Sequence, residues 1–198
     1  MAVDSKSLKV IRESADKKAS VFFSAEGLDI LFQTFVLAVR DDVVVLANKV
    51  TPALISKVIA APRYYMQCQM IQFVSEQVTS DGVNIVFPLH SLKVIEETRQ
   101  AQRFPFDSEE QVVIEFMNPF DGETIVTKAV MDMSATGLSI RTPFESRLFE
   151  PGQSFKEIKI LIDGEPYNRV EAQVIYKRRF LTREGKMHIQ VGLKFLSA

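Results

Sequence analysis

Turn-forming segments recur between short apolar segments along most of this 198-residue chain. They lie at Asp41-Asp42 and at residues 79–82, 118–122, 163–166 and 183–186. Asp, Asn, Gly and Pro favour tight turns, and an Asp-Gly pair is among the strongest local signals for a β-hairpin. The intervening segments are rich in β-branched and aromatic residues, which favour strands. The sequence therefore predicts a mainly β protein built from antiparallel hairpins.

The first half of the chain is predicted to be a small, mostly antiparallel β domain with one helix. Strands are expected over residues 18–24, twice within 31–50, and in the apolar segments 64–77 and 83–95. A helix is predicted from about 52 to 60, because Thr51 can cap it, Pro52 suits the first helical position and Pro62 ends it. The beginning of the chain is expected to form a short helix or a frayed arm.

A polar run at residues 96–102 predicts a linker, and three hairpin signals follow it. Several short strands at regular spacing favour a closed barrel or a sandwich over a parallel sheet, since the chain lacks long amphipathic helices for crossovers. The last strand alternates strictly. Met187, Ile189, Val191, Leu193 and Phe195 are predicted to face the core, and His188, Gln190, Gly192 and Lys194 are predicted to face solvent.

The composition narrows the possible functions. The formal net charge of -1 and the pI of about 6.2 do not indicate a polyanion or an anionic membrane as partner. One cysteine, Cys68, cannot form an internal disulfide and is expected in a core, and two scattered histidines provide no metal site. With no signal-peptide pattern and no run of about 18 apolar residues, the chain is expected to be cytoplasmic, without membrane insertion.

Two short motifs carry the candidate chemistry. The segment ETRQAQRFPF (97–106) places Arg99 and Arg103 four residues apart, and Pro105 disfavours a helix there, so the arginines are expected on a coil that enters a strand. The segment DMSATGLSI (132–140) combines Asp132, an acceptor, with the Ser134 hydroxyl and with Gly137. At Gly137 the chain can turn tightly or a ligand can approach the backbone. Taken alone, the second motif is typical of an ordinary turn.

Together, RxxxR, DxSxxG about 30 residues later and the final VGLKF resemble the PilZ domain, a bacterial receptor domain for cyclic di-GMP. The resemblance covers about residues 99–196. The context TRQAQRFPF is similar to the flagellar-brake, YcgR-type subgroup, and the all-β first half is similar to the N-terminal domain of that subgroup. The resemblance therefore implies two small antiparallel β-barrel domains, the first split-barrel-like and the second a PilZ barrel, with few short helices. The expected boundaries are 1–95, a linker at 96–106, and 107–198.

The resemblance also implies a ligand site for cyclic di-GMP on the outside of the barrel, covered by the linker. Arg99 and Arg103 would bind a guanine edge and phosphate, which matches the bidentate geometry between an Arg fork and guanine N7 and O6. Asp132 and Ser134 would bind the base and nearby polar atoms, and Gly137 would leave room. The family often has a further Arg before RxxxR that helps to hold a second, stacked ligand. Here Thr98 stands in that place, which favours one ligand per site.

We therefore expect the protein to be a cyclic di-GMP receptor that changes its interdomain arrangement and signals to a protein partner. Neither enzymatic activity nor a cofactor is expected. The family resemblance indicates a flagellar motor component as that partner. Three alternatives remain: a cyclic di-GMP-dependent DNA-binding regulator, a PilZ interaction module that binds no ligand, and a flavin-binding enzyme, since split barrels can host flavins.

The regulator would use the basic cluster of Tyr176, Lys177, Arg178, Arg179 and Arg183, which is otherwise typical of a solvated hairpin end. Nucleic acid is therefore not the expected partner. Neither His90 nor His188 lies beside a nucleophile pattern, and no Gly-rich phosphate-binding fingerprint occurs.

Overall fold

The computed structural model describes residues 3–48, 50, 52–95, 104–106, 111–144 and 146–197. Strands account for 58% and helices for 12% of the fold, so the predicted mainly β class is confirmed. The chain divides into two compact units. The first comprises Met1–Thr98 together with Phe180–Lys186, and the second comprises Arg99–Arg179 and Met187–Ala198. The domain boundaries expected from the sequence stay a prediction.

The first unit contains two α-helices and eight strands within its described residues. In chain order they are α1 (Ser5–Asp16), β1 (Ser20–Ala25), β2 (Ile30–Arg40), β3 (Val43–Ala47), α2 (Pro52–Ile59), β4 (Tyr64–Cys68), β5 (Ile71–Ser75), β6 (Thr79–Ser80), β7 (Asn84–Pro88) and β8 (Lys93–Ile95). A short 3-10 helix, Leu89–Ser91, lies between β7 and β8. The strands predicted on both sides of Asp41-Asp42 and the helix predicted from about 52 are confirmed; Thr51, the predicted cap, lies outside the described residues.

The first helix begins at a capped end and buries one face. The Asp4 carboxylate accepts a hydrogen bond of 2.7 Å from the backbone N–H of Ser7, and this bond lowers the pKa of Asp4. Ser7, Ile11 and Ser14 are buried at helical spacing, and the helix packs against β2. Of the two expected alternatives, the short helix is present, over Ser5–Asp16.

Strand β2 is shared between two ladders. Its first part, from Leu31 to Phe35, pairs with β1, and its second part, from Val36 to Arg40, pairs with β3. The register shifts between Val36 and Ala38, and such an irregularity bends a strand and increases its twist. One long strand thus belongs to two sheets, which gives the first unit its split-barrel-like character.

The residue types of segment 64–77 predict no turn within it, but the structure has one. Strands β4 and β5 form an antiparallel hairpin within it, with Tyr64 opposite Ser75 and Cys68 opposite Ile71. The chain reverses at Gln69, whose φ is 51°. Gly or Asn usually occupies such a position, so Gln69 provided no turn signal.

The second unit contains seven strands within its described residues. They are β9 (Phe104–Pro105), β10 (Val112–Met117), β11 (Ile125–Ser134), β12 (Gly137–Pro143), β13 (Ser154–Ile162), β14 (Glu165–Leu181) and β15 (Met187–Ser197). The last two residues of β14, Phe180 and Leu181, belong to the first unit. Strands β10 to β15 pair in the order β13-β10-β11-β12-β15-β14, and β13 also pairs with β14. This last pairing closes a six-stranded antiparallel barrel. Of the two expected architectures, the structure therefore adopts the barrel rather than the sandwich.

Side chains of the six strands, together with Phe149 from the connection between β12 and β13, fill the inside of the barrel. Three phenylalanines form its centre, with ring centroids 4.8 Å apart for Phe116 and Phe155 and 5.6 Å apart for Phe149 and each of the other two. The same buried cluster includes Leu138, Ile140, Ile189, Val191 and Leu193. The predicted inward set of β15 is thus confirmed for its central members.

The prediction that the other face of β15 is exposed to solvent is wrong at two positions. Gln190 is only 3% exposed, and Gly192 is also buried. The ring of Tyr176 lies over Gly192, and the Gln190 side chain hydrogen-bonds to Ser139 and Arg178. Side chains on the outside of the barrel therefore form a second layer at this point.

Candidate functional site

Asp132 reaches the outer face of the barrel because of an irregularity in β11. Val130 faces the core and pairs with Ile140, whereas Asp132 pairs with Ser139, so β11 has one more residue than β12 over this interval. Strict alternation from Val130 would point Asp132 inward. A β-bulge reverses the alternation and re-aims a side chain. The bulge thus places the Asp132 carboxylate on the same face as Ser139.

The Asp132 carboxylate belongs to a hydrogen-bond network that the sequence reading did not find. The Ser139 hydroxyl donates to Asp132 Oδ2 at 2.6 Å, and Gln190 Nε2 donates to Ser139 Oγ at 3.0 Å. Arg178 Nε in turn donates to Gln190 Oε1 at 2.6 Å. Ser139 and Gln190 lie on neighbouring strands far apart in the sequence, so no short motif joins them. The only available signal was a polar residue between apolar neighbours, which usually indicates exposure.

Ser134 stabilises the turn between β11 and β12. Its hydroxyl accepts a hydrogen bond of 3.3 Å from the backbone N–H of Thr136 and donates one of 3.2 Å to the carbonyl of Gly137. The turn is therefore a tight, side-chain-supported hairpin end, as the residue types indicated. Ser134 is half-buried at the same edge of the barrel, two residues after Asp132.

Gly137 has a structural reason to be glycine that differs from those expected. It lies in strand β12 rather than in the turn. A Cβ at this position would overlap the carbonyl oxygen of Leu193 and lie 3.2 Å from the α-carbon of Lys194. The close approach of β12 and β15 therefore excludes a side chain. The role of Gly137 in leaving room for a ligand stays a prediction.

A short strand next to Asp132 continues directly from the predicted arginine motif. Phe104 and Pro105 form β9, in which Pro105 pairs with Asp132 and Phe104 pairs with Met133. The backbone N–H of Phe106 donates to the carbonyl of Met131 at 2.9 Å. The strand expected after the RxxxR motif is thus present, whereas Arg99 and Arg103 themselves lie outside the described residues.

The basic cluster of the β14–β15 hairpin makes several intramolecular contacts. In the second unit, the Lys177 ammonium lies 2.9 Å from a carboxylate oxygen of Glu150, and Arg178 donates to Gln190. In the first unit, the Arg183 guanidinium lies over the ring of Phe35, 4.8 Å from its centroid. These contacts engage three of its cations, which makes the cluster a weaker candidate for binding nucleic acid.

Other sequence-based candidates have structural roles. Cys68 is fully buried, which confirms its predicted place in a core. Among the residues that the structure describes, no group of three or more His, Cys, Asp and Glu side chains is arranged to hold a metal ion. Within the same part of the chain, no helix is long and apolar enough to cross a membrane.

Comparison with protein families provides the observation that decides the classification. The model of the PilZ domain family matches residues 97–198, which include both motifs and the whole barrel. This match covers just over half of the chain. The protein belongs to the PilZ domain family. No curated protein matches the sequence of this PilZ protein.

Solved structures resemble this PilZ protein over nearly its whole length. MrkH from K. pneumonia in complex with c-di-GMP has a TM-score of 0.67 at 13% identity, with 98% of this chain and 87% of that chain covered. YcgR from Escherichia coli in complex with c-di-GMP has a TM-score of 0.52 at 15% identity, with 96% and 81% covered. Another structure, of MrkH described as a c-di-GMP-dependent transcription regulatory factor, has a TM-score of 0.60 at 13% identity, with 94% and 80% covered. At these identities, the likeness shows a shared two-domain fold.

Proposed function

We propose that this PilZ protein is a receptor for cyclic di-GMP that binds the ligand with Arg99, Arg103, Asp132, Ser134 and Gly137. The observation that carries the proposal is the pairing of β9 with β11 beside Asp132. This pairing brings Phe104, the residue that follows RxxxR in the sequence, next to the DxSxxG segment. The membership in the PilZ family and the ligand in the MrkH and YcgR structures support the choice of ligand.

Chain connectivity supports the participation of Arg103. This residue precedes Phe104 by one peptide bond, so the two α-carbons are about 3.8 Å apart. Phe104 pairs with Met133, the neighbour of Asp132. An arginine side chain attached at that point is long enough to meet a ligand that also touches Asp132.

The residue types match the chemistry of a cyclic dinucleotide. Guanine presents N7 and O6 as acceptors on one edge, which an arginine fork can meet with two parallel hydrogen bonds. The opposite edge presents N1–H and N2–H donors, which need an acceptor such as the Asp132 carboxylate. The phosphates provide anionic partners for the second arginine.

Ligand binding is proposed to act as a switch. RxxxR falls within the linker predicted at 96–106, between domains predicted at 1–95 and 107–198. A ligand held by the linker arginines and the barrel together would order this connection and favour one arrangement of the domains. The altered surface would then bind or release a protein partner in the cytoplasm, and the resemblance to the flagellar-brake subgroup favours a motor component. Thr98 in the place of a further Arg favours one ligand per site.

A second candidate function is a cyclic di-GMP-dependent DNA-binding regulator. It is favoured by the fold shared with MrkH, which is described as a transcription regulatory factor. The contacts of Lys177, Arg178 and Arg183 count against it. A mobility-shift assay at low salt, with and without cyclic di-GMP, separates the two functions, because absence of a shift under both conditions removes the regulator.

The proposed function is tested by titration calorimetry with cyclic di-GMP. Wild type should bind with saturation at one ligand per chain, and Arg103→Ala should weaken binding about ten- to a hundredfold, since a charge-assisted hydrogen bond contributes roughly 1.5 to 3 kcal/mol. Arg169→Ala is the matched control, because this exposed arginine of the same unit pairs with Glu157. No saturable heat with wild type would favour an interaction module that does not bind the ligand.

A further inference from the structure

The outer face of the PilZ barrel carries a continuous chain of hydrogen bonds behind Asp132. It runs from Arg178 to Gln190, then to Ser139, and ends on the carboxylate of Asp132, with donor–acceptor distances of 2.6, 3.0 and 2.6 Å. Ser139 is fully buried and Gln190 is 3% exposed. Buried polar groups are costly unless their partners are in place, so such a chain holds its members in one geometry.

The chemistry of Arg178 determines which atom donates and which atom accepts in every hydrogen bond of this series. A guanidinium can only donate hydrogen bonds. The atom of Gln190 that faces Arg178 must therefore be its carbonyl oxygen, which leaves the amide nitrogen to donate to Ser139. With its oxygen accepting from Gln190, the Ser139 hydroxyl directs its single hydrogen to Asp132. The carboxylate at the end of the chain is thus held as an acceptor.

We propose that Ser139, Gln190 and Arg178 are positioning residues that set the guanine specificity of the site. They would hold the Asp132 carboxylate in the orientation that accepts hydrogen bonds from both N1–H and N2–H of guanine. This inference rests on the proposed function, that the site binds cyclic di-GMP. Adenine would place its acceptor N1 against the carboxylate, and hypoxanthine would keep N1–H but lack the amino group.

The geometry of the strands explains why these three residues act together. Asp132 pairs with Ser139 across β11 and β12, and Ser139 pairs with Gly192 across β12 and β15. Gln190, two residues before Gly192, lies on the same face of β15. The Arg178 guanidinium lies 5.8 Å from the ring centroid of Tyr176, the ring that covers Gly192. The hydrogen-bond chain therefore crosses four neighbouring strands of the barrel wall, which suits a role in orientation.

The test measures the affinities of cyclic di-GMP and of its inosine analogue, cyclic di-IMP, by calorimetry. Wild type should prefer cyclic di-GMP about ten- to a hundredfold, the contribution expected of one charge-assisted hydrogen bond. Gln190→Met, which keeps the length but removes both polar atoms, should weaken cyclic di-GMP binding about tenfold or more. It should also bring the ratio of the two affinities towards one.

Arg178 provides the second variant and a conservative rescue. Arg178→Met removes the donor that fixes the direction of the chain, so it should also reduce the preference for cyclic di-GMP. Arg178→Lys keeps a donor at this position and should retain most of the preference. Thermal unfolding shows whether Gln190→Met folds. If it does not fold, the Arg178 variants decide the question, because Arg178 is partly exposed.

Thr142→Val is the matched control within β12. Thr142 is also buried, but it lies on the core side with Leu138 and Ile140, and its hydroxyl has no hydrogen-bond partner among the described residues. The substitution should leave both affinities unchanged. Unchanged affinities in this control and weaker binding by Gln190→Met would together show that loss of a buried polar atom affects binding when the atom belongs to the chain of hydrogen bonds.

The measured affinities distinguish a failure of the positioning role from a failure of the receptor function. If wild type does not bind cyclic di-GMP, the proposed function fails. A second outcome is that wild type binds, while the Gln190 and Arg178 variants lower the affinities for both dinucleotides by the same factor or leave both affinities unchanged. Either result would show that the hydrogen bonds only support the barrel. In that case the positioning role is overturned and the receptor function stands.

Discussion

Gly137 lies so close to Leu193 that no side chain fits between them, since a Cβ would overlap the Leu193 carbonyl oxygen. We therefore predict that Gly137→Ala lowers the free energy of unfolding by about 1–3 kcal/mol, the usual cost of overpacking, because the neighbour is backbone and cannot rotate away. Urea denaturation followed by circular dichroism measures this loss.

The control for this prediction is Ala135→Ser in the exposed turn two residues earlier. It should change stability by no more than about 0.5 kcal/mol. If Gly137→Ala keeps the stability of wild type but loses affinity for cyclic di-GMP, the glycine is required by the ligand rather than by the barrel.

Gly192 and Tyr176 should be energetically coupled, because a Cβ on Gly192 would overlap the ring of Tyr176. Gly192→Ala is expected to destabilise the protein in the wild-type background and to cost less when Tyr176→Ala removes the ring. Contacting residues typically show coupling energies of about 0.5–3 kcal/mol. Urea denaturation of the four proteins of this double-mutant cycle gives the coupling energy, and strict additivity would contradict the predicted contact.

Local sequence patterns predicted much of this fold because hairpins are local structures. The turns at Asp41-Asp42 and Asp163-Gly164 lie where residue types placed them, and Asp163 and Gly164 both have positive φ values, of 51° and 84°. Asp and Gly tolerate this region of backbone conformation, so the signal has a direct physical cause. The barrel, by contrast, also depends on the pairing of β10 with β13 and of β12 with β15, strands that are not consecutive in the sequence.

The candidate site was predictable only in part. Asp132 and Ser134 stood out because a carboxylate and a hydroxyl occur at a fixed spacing before a glycine. The supporting residues did not, because Ser139 and Gln190 meet across the β12–β15 ladder, and a β-bulge in front of Asp132 sets the register of β11 against β12. A bulge has no reliable residue signature. The alternating pattern assigned the outer face of β15 to solvent, because alternation does not show that Tyr176 and Arg178 cover part of that face.

Burial of Cys68 predicts a specific dependence of stability on pH. Desolvation raises the pKa of its thiol from the ordinary 9.0 to about 12. As the pH rises above 9, the unfolded state loses this proton while the folded state keeps it, so the unfolded state is favoured. The contribution of the neutral thiol to the free energy of unfolding is therefore complete below pH 9. It is lost between pH 9 and about 12, at up to about 1.4 kcal/mol per pH unit.

Other groups also titrate in this range, so the prediction concerns the difference between wild type and Cys68→Ala. This difference in the free energy of unfolding, measured by urea denaturation at several pH values, should be constant below pH 9 and should shift against wild type above it. A difference that stays constant up to pH 11 would show that the thiol is not held in its neutral form.

Phe180 should stabilise the first unit although it follows most of the second unit in the sequence. Its side chain is fully buried, and its ring centroid lies 6.2 Å from that of Phe22 in β1. Phe180→Ala is expected to lower the free energy of unfolding by about 3–5 kcal/mol, as is typical when a buried phenylalanine is removed.

Tyr167→Ala, on the same strand but 62% exposed, is the control and should lower it by no more than about 0.5 kcal/mol. Hydrogen exchange should locate the loss of protection in β1. Loss confined to the strands of the barrel would contradict the assignment of Phe180 to the first unit, since its buried ring would then support the second core instead.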